Sequence, residues 1–100
     1  MYIPIQKNQV PYRFEILLGA ETFEIEVRYN ADFDFFTIDL YKDGEVLVYG
    51  EKLVYGVPLF TDVFDQRFPV LQLVPKDDAG LEERVGYSNL GETVFLQVVG

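Results

Sequence analysis

Between Tyr12 and Tyr29 the chain alternates apolar and polar residues with a period of two, interrupted once by Gly19-Ala20-Glu21. Tyr12, Phe14, Ile16 and Leu18 fall in one phase and Arg13 and Glu15 in the other; Phe23, Ile25, Val27 and Tyr29 then alternate with Glu24, Glu26 and Arg28. Successive side chains of a strand point to opposite faces, so this spacing predicts two half-buried strands with their polar faces in water. Joined across a glycine-led turn, they read as a hairpin.

The same logic carries along the chain. Asn30-Ala31-Asp32-Phe33-Asp34 supplies turn formers, after which Phe36, Ile38 and Leu40 alternate with Phe35, Thr37, Asp39 and Tyr41. Aromatics in the second phase predict partial cover on that face. Asp43-Gly44 is the strongest hairpin signal, because both central residues of a type I′ turn need positive φ, and Val46 to Tyr49 form its return strand. Leu47-Val48-Tyr49-Gly50 is echoed by Leu53-Val54-Tyr55-Gly56. Gly50 is either a bulge in one continuous strand, which is the preferred reading and would put both copies on one face, or a further turn. Pro58 and Pro69 bracket a connection in which Phe60, Phe64 and Phe68 recur every fourth residue, as in one short helical turn. Val70, Leu71, Leu73 and Val74 make the next strand, ended by Pro75, which lacks a ladder donor. Lys76 to Gly91 reads as a long surface loop, and Thr93 to Val99 as a central or well-covered strand. Six or seven short strands without a long helix predict a single all-β domain over residues 1–100, a small antiparallel barrel or sandwich.

Composition narrows the chemistry. Aromatics at 16% and hydrophobic residues at 49% suffice for a core without metal or disulfide support. With no His and no Cys, the usual neutral-pH base, the thiol nucleophile and thiolate metal ligands are missing, so no cofactor is expected. A net charge of −9 repels phosphate backbones and anionic lipid, which argues against nucleic-acid and membrane partners. Met1 to Lys7 lacks the basic flank and long apolar run of a signal peptide or span, so a cytosolic protein is expected.

Asn30, Asp32 and Asp34 imitate the opening of a calcium loop, but Phe35 stands where that loop needs Gly and Tyr41 where it needs a bidentate acid. The sequence therefore reads as a turn. Asp77-Asp78 and Glu82-Glu83 are adjacent pairs on a loop, unlike the opposed carboxylates of glycoside hydrolysis, and so small a β-domain leaves little room for a cleft. The Phe60, Phe64, Phe68 series either packs in the core, the preferred reading, or forms an interface. Tyr2, Ile3 and Ile5, flanking Pro4, form an apolar terminus that joins either a sheet edge or a partner.

Taken in order, several segments resemble the phage baseplate plug family, small proteins encoded among the tail genes of contractile-tailed phages and prophages. These are Ile3-Pro4-Ile5, the paired strands ending at Tyr29-Asn30, Phe36 to Tyr41 followed by Asp43-Gly44, Leu47 to Leu59 with Gly50, Gly56 and Pro58, and Leu90-Gly91 with Val94 and Leu96. The chain departs from the family pattern in lacking a Trp near Phe35 or Phe36. The resemblance implies a non-enzymatic structural component that seals or organises the axial hub. It would contact hub, tube and spike proteins, with copies in a ring or trimer, assembling in the bacterial cytoplasm before entering the virion tail. An acidic protein-binding module or inhibitor unrelated to tails is the alternative; it would gather its acids on one face, whereas Arg13, Arg28, Lys42, Lys52, Lys76 and Arg84 lie scattered among them. A carboxylate enzyme would need a deep pocket with two convergent acids of raised pKa. Millimolar calcium should leave the melting temperature unchanged; a calcium-dependent rise would restore the metal-loop reading.

Overall fold

A computed structural model describes residues 2–60, 69 and 71–99. Two tight turns set its first sheet. Gly19 has φ 66° and Ala20 does not have positive φ, the pattern of a type II′ turn, and it joins β2 (Tyr12–Leu18) to β3 (Glu21–Asn30). Their register runs one to one from Leu18 opposite Glu21 to Tyr12 opposite Val27. Asp43 and Gly44 both have positive φ, 53° and 78°, as the type I′ reading requires, and join β4 (Phe35–Lys42) to β5 (Glu45–Lys52). The order is β2-β3-β4-β5.

The second sheet is built from the ends of the chain. Strand β7 (Val94–Val99) is its centre, as the apolar terminal run predicts, flanked antiparallel by β1 (Tyr2–Ile3) and β6 (Gln72–Asp77). A 3₁₀ turn at Lys7–Gln9 is the helical element among the described residues. Both sheets feed one core: Phe23, Ile25 and Val27 of β3 and Phe36, Ile38 and Leu40 of β4 cluster with Leu73, Val94 and Leu96 of the second sheet. Fully burying each such side chain contributes about 1.5–3 kcal/mol.

The strands do not close into a barrel, which removes that half of the expected architecture. The sheets are linked instead by the segment after β5, where the N–H of Gly56 donates to Pro75 O at 2.8 Å and that of Leu59 to Leu73 O at 2.9 Å. Among the described residues these two bonds are too few for a ladder, and β1, at two residues, is too short to close the other side. Pro75 does not end its strand either. Its carbonyl faces outward to Gly56, so its nitrogen lies on the same outer edge, and the missing N–H costs β6 no bond to β7. The proposed helical turn over Leu59 to Phe68 falls largely on residues 61–68, outside the described residues, as does Val70.

Gly50 lies in a continuous, bulged strand. The β4–β5 register slips between Ile38 and Leu40, Gly50 has φ 70°, and its N–H donates to Asp39 Oδ1 at 2.8 Å. Asp39 is 1% exposed, and its other oxygen accepts from Arg28 Nε at 2.9 Å. The leucines of both echo copies reach the core, but the tyrosines part: Tyr49 is exposed, whereas Tyr55 packs inward and its hydroxyl accepts the Asp77 N–H. The copies diverge because β5 stops at Lys52 and the chain turns toward β6. On the outer face of β4, the Arg13 guanidinium covers Tyr41 at 3.9 Å and Lys52 covers Phe35 at 4.7 Å, which is the partial cover the aromatics predicted.

A Cβ on Gly50 would meet nothing within 4 Å, so Gly50→Ala isolates the backbone penalty of positive φ. Urea unfolding should show a loss of about 1–2 kcal/mol with no change of fold.

Candidate interaction surface

The β3–β4 turn pushes an aromatic ring into solvent. Asn30 Oδ1 accepts the N–H groups of Asp32 at 3.0 Å and Phe33 at 3.1 Å, an Asx-turn that spends its oxygen on the backbone. Asp34 follows at φ 56°, and Phe33 is left 77% exposed.

Asp34 then ties this turn to a segment fifty residues away. Its Oδ1 accepts from the Tyr29 hydroxyl at 2.7 Å and the Tyr87 N–H at 2.9 Å, while Oδ2 accepts from Arg84 at 3.0 Å. The Tyr29 hydroxyl, the Tyr87 N–H and the Arg84 guanidinium together hold the Asp34 carboxyl down at about 2, from an ordinary 3.8. The same contact raises Tyr29 above its usual value.

The connection from β6 to β7 is fastened from within by two buried side chains. Asp77 accepts the N–H groups of Ala79, Leu81 and Glu82, and those bonds lower its pKa. Asn89 accepts from the Gly86 N–H at 2.9 Å and donates to Glu82 Oε2 and Arg84 O, both at 2.8 Å. This is the loop expected over Lys76 to Gly91, except that β6 runs on through Lys76 to Asp77.

Between the turn, the exit of β5 and this loop lies a groove of about 200 Å³, walled by Phe33, Phe35, Val54 and Tyr55 with Lys52 and Arg84 among them. Asp34 and Glu83 line it as well, and Arg84 is paired with Asp34, so the charges balance and the apolar wall is what suits it to an apolar anchor. Among the described residues the carboxylates with displaced pKa values, Asp34 and Asp77, are both held low, so they act as anionic anchors rather than as proton donors. Among the described residues no group of His, Cys, Asp or Glu is placed to hold a metal ion, and no helix is long and apolar enough to cross a membrane.

The terminal residues singled out from sequence lie elsewhere. Ile3 is buried in the core, Ile5 packs half-buried against it, and Tyr2 is half-exposed with its ring 4.5 Å from that of Phe95. Phe60 also leans on the core, and its N–H donates to Glu51. Phe64 and Phe68 lie outside the described residues. Sequence reasoning passed over the groove. A large apolar residue, Phe33, inside an otherwise polar turn was the available signal; nothing local points to Arg84.

Because the folded pKa of Asp34 is depressed, the stabilisation it supplies is present in full above its ordinary 3.8 and is lost as pH falls toward about 2. Asp34→Asn should therefore melt earlier at pH 7 and lose less on acidification from pH 4 to pH 2 than the parent chain, as thermal melts across that range will show.

The whole chain, residues 1–100, matches the family model described as cyanophage baseplate Pam3 plug gp18. A search of curated proteins returned no match. A match that leaves no residue outside it places the chain by more than any one strand or turn, and on it the chain belongs to the phage baseplate plug family, as a structural protein of the baseplate.

Proposed function

We propose that this protein seals or organises the axial hub of a phage or prophage tail through contacts with neighbouring hub, tube or spike subunits. The full-length match to a baseplate plug carries the reading. Its chemistry is that of docking: Phe33 and Leu81 are 77% and 82% exposed and serve no core, so they are free to anchor a neighbour. The half-exposed ring of Tyr2, beside Phe95, offers a second contact, with Ile3 and Ile5 fixing that segment to the core. Synthesis and assembly take place in the bacterial cytoplasm and the mature protein resides in the tail, without catalysis. Copies related by rotation about the tail axis would fit that position.

Charge placement favours this over an acidic mimic. Arg28 sits between Glu26 and Asp39, Lys42 pairs with Glu21 at 2.8 Å, and Lys7 with Glu92 at 3.6 Å, so bases break up the acidic surface a mimic would keep continuous.

Phe33→Ser tests the groove. A side chain this exposed should change stability by less than about 0.5 kcal/mol, so the variant should melt like the parent chain. Its incorporation into tails assembled from co-expressed tail proteins, read by immunoblot of purified particles, should fall severalfold. Undiminished incorporation would place the contact elsewhere.

A further inference from the structure

Of the four edge strands among the described residues, three are protected by shortness, bonding or irregular register. Strand β1 is two residues long, β6 has the carbonyls of Leu73 and Pro75 engaged by Leu59 and Gly56, and β5 is broken by register shifts. Strand β2 carries the charges of Arg13 and Glu15 but none of these devices. Its seven residues keep one-to-one register with β3 and contain no Pro and no Lys, and among the described residues no main-chain bond reaches its outer side.

The type II′ turn decides which groups face outward. Leu18 and Glu21 flank a two-residue turn and form a hydrogen-bonded pair, so Leu18, Ile16, Phe14 and Tyr12 address β3. The N–H and C=O groups of Arg13, Glu15 and Leu17 therefore point away from the sheet. A second observation concerns side chains. Tyr12, Phe14 and Ile16 lie in the core-facing phase yet remain partly exposed, whereas Phe23, Ile25 and Val27 of β3 are at 0–1%. Both the backbone and the apolar face of β2 are thus unfinished along one line.

We propose that β2 pairs antiparallel with β2 of a second copy of this chain, about a two-fold axis at Phe14. Of the two-fold registers that use the outward groups, centring on Glu15 would set that acid against itself, and centring on Ile16 would set it against Leu17. Centring on Phe14 sets Arg13, which already bonds Glu26 and lies over Tyr41 in its own sheet, against Glu15 of the second copy so that the base is shared between acids, twice by symmetry, with Phe14 against Phe14 and Tyr12 against Ile16. About four main-chain bonds form from the Arg13 and Glu15 pairs, and the two four-stranded sheets become one. The pairing belongs to the free protein and does not depend on the hub reading.

The isolated full-length chain is examined by sedimentation equilibrium up to about 500 µM, because an edge contact of this size is of the weak class. A monomer–dimer equilibrium is expected, weakened at least about tenfold by Glu15→Arg, which sets Arg against Arg13, with an unchanged melting temperature. The chain has no cysteine, so single replacements report the register cleanly. Under mild oxidation Phe14→Cys should cross-link far faster than Glu15→Cys, since only position 14 meets itself. A chain monomeric throughout the range overturns the proposal, as does a dimer indifferent to Glu15→Arg. A monomer whose Glu15→Arg variant fails to enter tails would reassign the edge to a strand of another tail protein. Failure of tail incorporation in Phe33→Ser bears on the hub reading alone.

Discussion

The bond from the Gly50 N–H to the buried Asp39 carboxylate is where the architecture turns. A bulge bends its strand and sharpens its twist, but it leaves ladder groups without partners. Here a charged acceptor takes the freed N–H, and Arg28 from β3 holds that acceptor on its other side. The bent β5 then delivers Leu53 to the ladder at Phe36 O, and three residues later Gly56 reaches Pro75 in the other sheet. Leu53 and Tyr55, just past the bulge, pack on the core shared by the two sheets, and the same stretch lines the groove. Hydrogen bonds to charged groups contribute about 1.5–3 kcal/mol, more than an ordinary ladder bond.

Local patterns were enough for the first sheet. Period-two alternation set the faces of β2, β3 and β4, and the positive φ that Asp43-Gly44 tolerates cheaply set the second hairpin. Where the sequence was silent, the missing information was non-local. Whether strands close into a barrel depends on how far β1 and the 56–59 segment pair across the chain, and neither leaves a trace in hydrophobic period. Pro75 misled for a related reason: a proline stops a strand only when its nitrogen faces a partner, and facing depends on which side that partner takes.

The candidate surface was less legible than the fold. Phe33 is out of place in a polar turn and could have been noticed, but Arg84 and Tyr87 reach Asp34 across fifty residues through a loop whose path is dictated by Asp77 and Asn89. Buried Asp and Asn in a polar, glycine-containing stretch look like ordinary solvated loop residues until their backbone partners are seen. The terminal apolar residues drew attention because termini usually fray, yet Ile3 is among the most deeply buried side chains.

That fastening of the loop changes what a neighbour meets on arrival. Ordering a residue's backbone costs about 1–2 kcal/mol of conformational entropy, and a loop disordered until it is bound takes that loss out of its binding energy. Residues between Asp77 and Thr93 have already lost that freedom on folding, through side-chain bonds internal to the loop. Any partner docking at this surface would meet a preformed shape and would not have to bear that ordering cost on binding.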